Sequence, residues 1–124
     1  GELSFIRPIH RGEITQNFGQ LAGVLHLGLD FKAKLGDEVL ASCAGEAVCV
    51  MERGGYGLMI ELDHGNGFVT RYAHLESAAV KLGDVVEQGQ LIGTAGASGN
   101  VKTPVLHFEL RIDSIPFNPR YYLE

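Results

Sequence analysis

The residues of this chain with the most chemical potential are its five histidines, His10, His26, His64, His74 and His107, and their neighbours separate them. In His26-Leu27-Gly28-Leu29-Asp30 small or polar residues alternate with leucines. In a strand, His26, Gly28 and Asp30 then share one side while Leu27 and Leu29 turn to a core. Four extended residues span roughly 13 Å, which is awkward for two side chains that must each come within about 2.0 to 2.2 Å of one zinc ion, unless Gly28 bends the strand. A second constellation is Val105-Leu106-His107-Phe108-Glu109, where Leu106 and Phe108 face the core and Val105, His107 and Glu109 the opposite side. Zinc held by His26, Asp30 and His107 would keep one open position, the coordination of a catalytic site, in which water becomes acidic with a pKa of about 7. His74, at the strand end Arg71-Tyr72-Ala73-His74-Leu75, is placed to accept a proton from such a water or to donate to a developing oxyanion. His64 lies in a turn and His10 follows Pro8-Ile9, so both read as structural or solvent-facing. Arg71 and Lys102 read as ordinary solvated charges, with Arg71 near enough to His74 to touch an anionic substrate.

These side chains need short, sharply turned elements to position them. The 17 glycines and 4 prolines break the chain into segments too short for long helices. Val39–Cys43 and Ala47–Met51 read as a hairpin around Ala44-Gly45-Glu46, and Leu58–Leu62 and Phe68–Tyr72 as another around His64-Gly65-Asn66-Gly67. Leu91–Thr94 and Val105–Arg111 complete a sheet, and Leu75–Val80 reads as a helical turn that serves as a connector. Lys34-Leu35-Gly36-Asp37 recurs as Lys81-Leu82-Gly83-Asp84, each time as a tight turn ahead of a strand. Biotinyl and lipoyl carrier domains use similar repeats, but the hairpin tips here, Gly45-Glu46 and Gly65-Asn66, hold no lysine to modify. The fold class expected is all-β, an antiparallel sheet domain.

With 124 residues, 45% of them hydrophobic, the chain suffices for one globular domain. Ten basic against fifteen acidic side chains leave a formal charge of −5, with no basic tract, which argues against a nucleic-acid partner. No apolar run approaches the roughly 20 residues of a membrane span. Opening on Gly1 without an initiator Met, the chain reads as an excised domain whose leader or anchor lies outside it. Cys43 and Cys49 fit neither a zinc knuckle nor a redox pair and read as structural thiols.

Taken in order, His26-Leu27-Gly28-Leu29-Asp30, Gly54-Gly55-Tyr56-Gly57, His64-Gly65-Asn66-Gly67, Tyr72-Ala73-His74-Leu75, Gly89-Gln90-Leu91-Ile92-Gly93 and Leu106-His107-Phe108-Glu109-Leu110-Arg111 resemble the lysostaphin and LytM-type peptidase family. The resemblance runs from about Ile14 to Leu123, which makes residues 1–13 a lead-in and 14–124 the domain. It implies a compact β-sheet domain with a groove, a zinc ion, and action on peptidoglycan stem or cross-bridge peptides outside the cytoplasm, in the periplasm or cell envelope. Carried over by motif, the zinc ligands fall on His26, Asp30 and His107, and a catalytic histidine on His74. The family's second catalytic histidine falls on Val105, which can neither accept nor donate a proton. The segment Gly99–His107 is also similar to the NlpD-like branch, whose members activate cell-wall amidases without cutting peptidoglycan. Two functions are therefore expected side by side: a zinc-binding domain impaired in catalysis that binds peptidoglycan or activates an amidase, and an active zinc endopeptidase.

Overall fold

The computed structural model describes residues 3–124. Twelve strands follow one another: β1 (Ile14–Gln16), β2 (Gly19–Leu21), β3 (Val24–His26), β4 (Leu29–Lys32), β5 (Glu38–Leu40), β6 (Gly45–Glu52), β7 (Leu58–Gly65), β8 (Phe68–Ala78), β9 (Val85–Val86), β10 (Leu91–Ala95), β11 (Val105–Ile112) and β12 (Ile115–Phe117). Two 3-10 turns, Gly54–Tyr56 and Pro119–Tyr121, are the helical elements among the described residues, and no helix there is long and apolar enough to cross a membrane. The all-β expectation holds.

Ten strands form one sheet in the order β1-β4-β11-β8-β7-β6-β9, with β12 on β11 and β10 bridging β5 and β8, while β2 and β3 pair only with each other. All pairings are antiparallel. Directly opposed residues in such pairs point to the same side. Leu29, Phe31, Ile60, Tyr72, Leu106 and Phe108 are accordingly fully buried together in the core, each contributing about 1.5 to 3 kcal/mol of burial. The segment ahead of β1 packs onto this core: Phe5 and Ile9 are buried, and each bridges into the fold, at Leu123 and Val39 respectively.

The turns follow their residue chemistry. The β7–β8 hairpin closes on Asn66-Gly67, both at positive φ (55° and 83°), the geometry whose twist suits a two-residue hairpin. In the repeated turns, Asp37 and Asp84 accept the backbone N–H of Lys34 and Lys81, each at 2.8 Å, and Gly36 and Gly83 take φ of 90° and 91°. The other expected hairpin does not form. β5 pairs with β10, and β6 with β7 and β9, because the chain between β5 and β6 crosses from one part of the sheet to another instead of reversing. Leu75–Val80 is not helical either: β8 runs on to Ala78, and a bulge disguises its alternation. Both cysteines are free, Cys43 buried and Cys49 half-buried.

Candidate metal centre

β11 lies between β4 and β8, and its register builds the site. His107 stands opposite Asp30 on one side and Ala73 on the other, while its neighbours Leu106 and Phe108 face the core. His26 reaches the same place from the β2–β3 hairpin. The continuous strand expected over His26–Asp30 is instead interrupted: β3 ends at His26 and β4 starts at Leu29. Gly28 makes the interruption possible, since a Cβ there would lie 2.2 Å from the Phe108 carbonyl oxygen. The break brings His26 Nε2 to 3.2 Å from Asp30 Oδ1, and His107 Nδ1 lies 2.8 Å from the same oxygen.

One ligand atom from each of His26, Asp30 and His107 lies within 4.8 Å of the others. A tetrahedral zinc with bonds of about 2.1 Å separates its ligand atoms by about 3.4 Å, so small adjustments admit the ion. The hydrogen bonding fits it too. His26 Nδ1 lies 2.9 Å from the Asn17 carbonyl; with that N–H donated, the neutral ring turns the lone pair of Nε2 onto a carboxylate oxygen, and a cation belongs between the two atoms. His107 donates from Nε2 to Glu109 Oε2 at 2.7 Å, which aims Nδ1 at Asp30. A carboxylate behind a histidine in this way fixes the ring and raises its basicity as a ligand.

Without a metal, the two carboxylates draw onto His107 a proton that a bound cation would have to displace. Burial opposes charge on His107, but the hydrogen bonds and charges of Asp30 and Glu109 outweigh it and lift its pKa to about 9. Burial would raise the Asp30 carboxyl; the bond and charge of His107, with His26 and His74, hold it below the ordinary range. Glu109, fully buried, is likewise opposed by burial but held down to about 2 by His107 and Arg111. Arg111 Nε donates to Glu109 Oε1 at 2.7 Å and Tyr56 donates its hydroxyl to Oε2 at 2.9 Å.

His74 is delivered by a bulge. Between Leu58↔Leu75 and Ile60↔Tyr72, β8 advances three residues while β7 advances two, and the extra residue kinks the strand. His74 sits there at φ 65°, a left-handed conformation that costs a histidine about 1 to 2 kcal/mol. Its Nδ1–H donates to the Ser98 carbonyl at 2.8 Å, so Nε2 is left as the acceptor. Burial lowers its pKa despite that bond, which keeps the ring neutral. Its ring centroid lies 6.0 Å from that of His107. Leu25, His26, Asp30, Tyr56, His74 and His107 line one groove of about 470 Å³.

The family model of peptidase family M23 matches residues 24–119. The chain belongs to peptidase family M23. Among its curated relatives, the cell division protein DipM of Caulobacter vibrioides is 41% identical over 90% of this chain. The peptidoglycan DD-endopeptidase ShyC of Vibrio cholerae is 38% identical over 94%, and the murein hydrolase activator EnvC of Escherichia coli 36% identical over 91%. This M23 chain spans 18%, 29% and 27% of those three proteins. Among solved structures, a zinc-containing peptidase from Vibrio cholerae superposes with a TM-score of 0.87 at 30% identity, covering 93% of this chain and 39% of that one. The catalytic domain of lysostaphin from Staphylococcus simulans superposes at 0.84 with 30% identity, covering 90% and 91%. The lysostaphin-type sheet expected from sequence is therefore the sheet of this M23 chain.

The M23 groove brings His26, Asp30, His74 and His107 together. Val105 is half-buried and bridges to Gly96, on the side of β11 shared by His107. His10 is exposed, and His64 is structural, its ring nitrogens 2.7 Å from the Ala44 carbonyl and 2.7 Å from Thr70 Oγ1. Arg71 is no solvated charge. It is 8% exposed, pairs with Glu61 at 2.7 Å and Glu109 at 3.6 Å, and stacks over Tyr56 at 4.9 Å, because β7, β8 and β11 align Glu61, Arg71 and Glu109 in one row. Strand alternation placed Glu109 beside His107. The supporting roles of Tyr56, Arg71 and Ser98 have no signal in spacing, since they depend on which strands pair.

Proposed function

We propose that this M23 domain binds zinc through His26 Nε2, an Asp30 carboxylate oxygen and His107 Nδ1, and acts in the bacterial cell envelope by binding peptidoglycan peptides or activating a cell-wall amidase, with impaired hydrolysis of its own. The observation that carries this reading is Val105. It stands two residues before His107 on the same side of β11, opposite Lys32 in the β4 pairing, where a titratable side chain would lie beside the metal ligands. Valine moves no proton there, and general acid-base groups contribute about 10²- to 10⁴-fold.

Zinc held by His26, Asp30 and His107 would supply Lewis acidity to polarise a peptide carbonyl and acidify water. The chain's own residues then have limited means. Asp30 and Glu109 hold the histidine rings in place. His74, neutral and with Nδ1 committed to Ser98, offers Nε2 as a proton acceptor, and among the groove's lining residues it is the one histidine outside the metal cluster. Tyr56 is committed to Glu109, and burial, followed by the nearby Glu109 charge, raises its pKa. One histidine must therefore both take the proton of the attacking water and return it to the leaving amine. The identity to a protein named as a hydrolase activator and to a cell division protein supports the non-cleaving reading. The complete ligand set and the preset His74 favour a second, that of an endopeptidase, as the identity to ShyC also does.

The deciding experiment incubates the zinc-loaded chain with purified peptidoglycan sacculi and follows soluble fragments, with His107→Ala as control. Little or no release at one zinc per chain is expected, with Val105→His raising hydrolysis by about 10²-fold or more. Rapid zinc-dependent release that the control loses overturns impaired catalysis in favour of the endopeptidase. No gain from Val105→His, with zinc still bound, sinks the claim that residue 105 is the missing group.

A further inference from the structure

A second cavity, of about 410 Å³, opens beside the metal groove between the segment ahead of β1 and the end of β4, lined by His10, Arg11, Lys32 and Lys34 together with Asp37 and Glu38. The register ties it to the metal cluster. Lys32 faces Val105, one step of two residues from the Asp30–His107 pair, and strand alternation puts Lys32 and Asp30 on the same side of β4. That step measures about 7 Å, the length of two residues of an extended peptide.

The charge of the cavity departs from that of the chain. The chain carries −5, yet Arg11, Lys32 and Lys34 converge here, and among the described residues none of the three makes an ion pair. Asp37, which accepts the Lys34 N–H in its turn, and Glu38 also line the cavity, so three cations meet two carboxylates there. Arg7 adds a further cation behind the wall, donating to the Ile9 and Gly12 carbonyls at 3.3 and 2.6 Å while stacking over Phe31 at 5.0 Å. The wall is set in place. Lys32 N–H donates to the Glu13 carbonyl at 2.8 Å, and Gly12, at φ 110°, lies so flush that a Cβ would stand 2.0 Å from the Lys32 oxygen. Buried Ile9 forms an apolar part of the lining. Guanidinium and ammonium groups around such a floor suit a carboxylate attached to a short aliphatic residue.

We infer that this cavity is an anion subsite which binds a carboxylate of a peptide, either its C-terminus or an acidic side chain, about two residues from the carbonyl that lies at the metal cluster. The inference rests on the reading of the groove as a peptide site and adds the class of peptide it takes. Val105, across the strands from Lys32 and one step from the cluster, offers the bound peptide an apolar contact.

The test titrates the chain, zinc-loaded and after metal removal, with acetyl-D-alanyl-D-alanine, its C-terminal amide, and acetyl-alanyl-glutamyl-alanine amide, following backbone amide NMR shifts. The free acid is expected to bind about tenfold more tightly than the amide and to move the signals of Arg11 and Lys32. Lys32→Gln with Arg11→Gln should erase that preference while leaving the thermal midpoint unchanged, and the glutamyl peptide shows whether a side-chain carboxylate serves as well as a terminus. Equal affinity for acid and amide overturns the anion subsite, as does an acid preference that vanishes with the metal and survives in the double variant. If the amide moves the His26 and His107 signals without an acid preference, the subsite fails and the peptide groove stands. If the acid moves only the Arg11 and Lys32 signals, the subsite stands and the groove reading fails.

Discussion

Two carboxylates flank His107, and they are built for opposite purposes. Glu109 is fully buried and bonded by Tyr56, Arg111 and His107, with Arg71 at 3.6 Å, so both its oxygens are committed. Asp30 is 14% exposed at the side chain and its Oδ1 lies 3.2 and 2.8 Å from the two ring nitrogens that a metal would claim. One carboxylate is fixed by arginines as part of the fold, and the other is left to whatever cation enters the groove. A single imidazole between them links the rigidity of the first to the reactivity of the second.

Separating the two roles gives predictions that cross. Asp30→Ala should abolish stoichiometric zinc, measured by metal analysis after dialysis, while changing the stability of the metal-free chain by less than about 1 kcal/mol. Glu109→Ala should do the reverse. Leaving Arg71 and Arg111 without their buried partner should cost about 3 kcal/mol in urea unfolding, and zinc affinity should fall about 10- to 100-fold without being lost. Equal effects of the two substitutions on both measurements would refute the division. Tyr56→Phe removes one neutral donor from Glu109, and about 1 kcal/mol of stability should go with it.

The comparison extends to a histidine that no carboxylate bonds. In the metal-free chain two acids raise the pKa of His107, whereas His64, bonded to a carbonyl and a hydroxyl, has its pKa lowered from the ordinary 6.5, chiefly by burial, against the Ala44 bond and the Asp63 charge. The unfolded chain then takes up a proton at this residue more readily than the folded one. Its contribution is fully present above about pH 6.5 and is lost as pH falls through the lowered folded value. Unfolding at pH 7.5 and 5 should show a smaller loss of stability in His64→Gln than in the unaltered chain, the smallest of these effects.

What could be read in advance follows the range of the interactions. The Asn66-Gly67 hairpin and the two Asp-capped turns rest on local chemistry and are legible in their motifs, whereas the His26, Asp30 and His107 set joins residues 77 apart and is legible only through the family resemblance. The β5–β10 pairing is not, since nothing near Leu40 names Leu91 as its partner, and the adjacent segments Val39–Cys43 and Ala47–Met51 mimic a hairpin. The continuation of β8 past His74 is hidden for another reason. Its extra residue shifts the alternation by one, so Leu75–Val80 loses the period of a strand. Arg71 looks solvated until Glu61 and Glu109 are aligned on either side of it.

The β2–β3 hairpin sets the tempo of the centre. It pairs with no other strand, a two-stranded unit is marginal by itself, and Val24 and Leu25 are 68% and 60% exposed. His107 and Asp30, by contrast, are locked into neighbouring strands of the large sheet. Backbone amide exchange should therefore be fast through opening of the hairpin at His26 and slow at His107, where only near-global unfolding exposes the strand. On the proposed zinc reading, capture and release of the ion would be paced by one ligand on the hairpin against two held in the sheet.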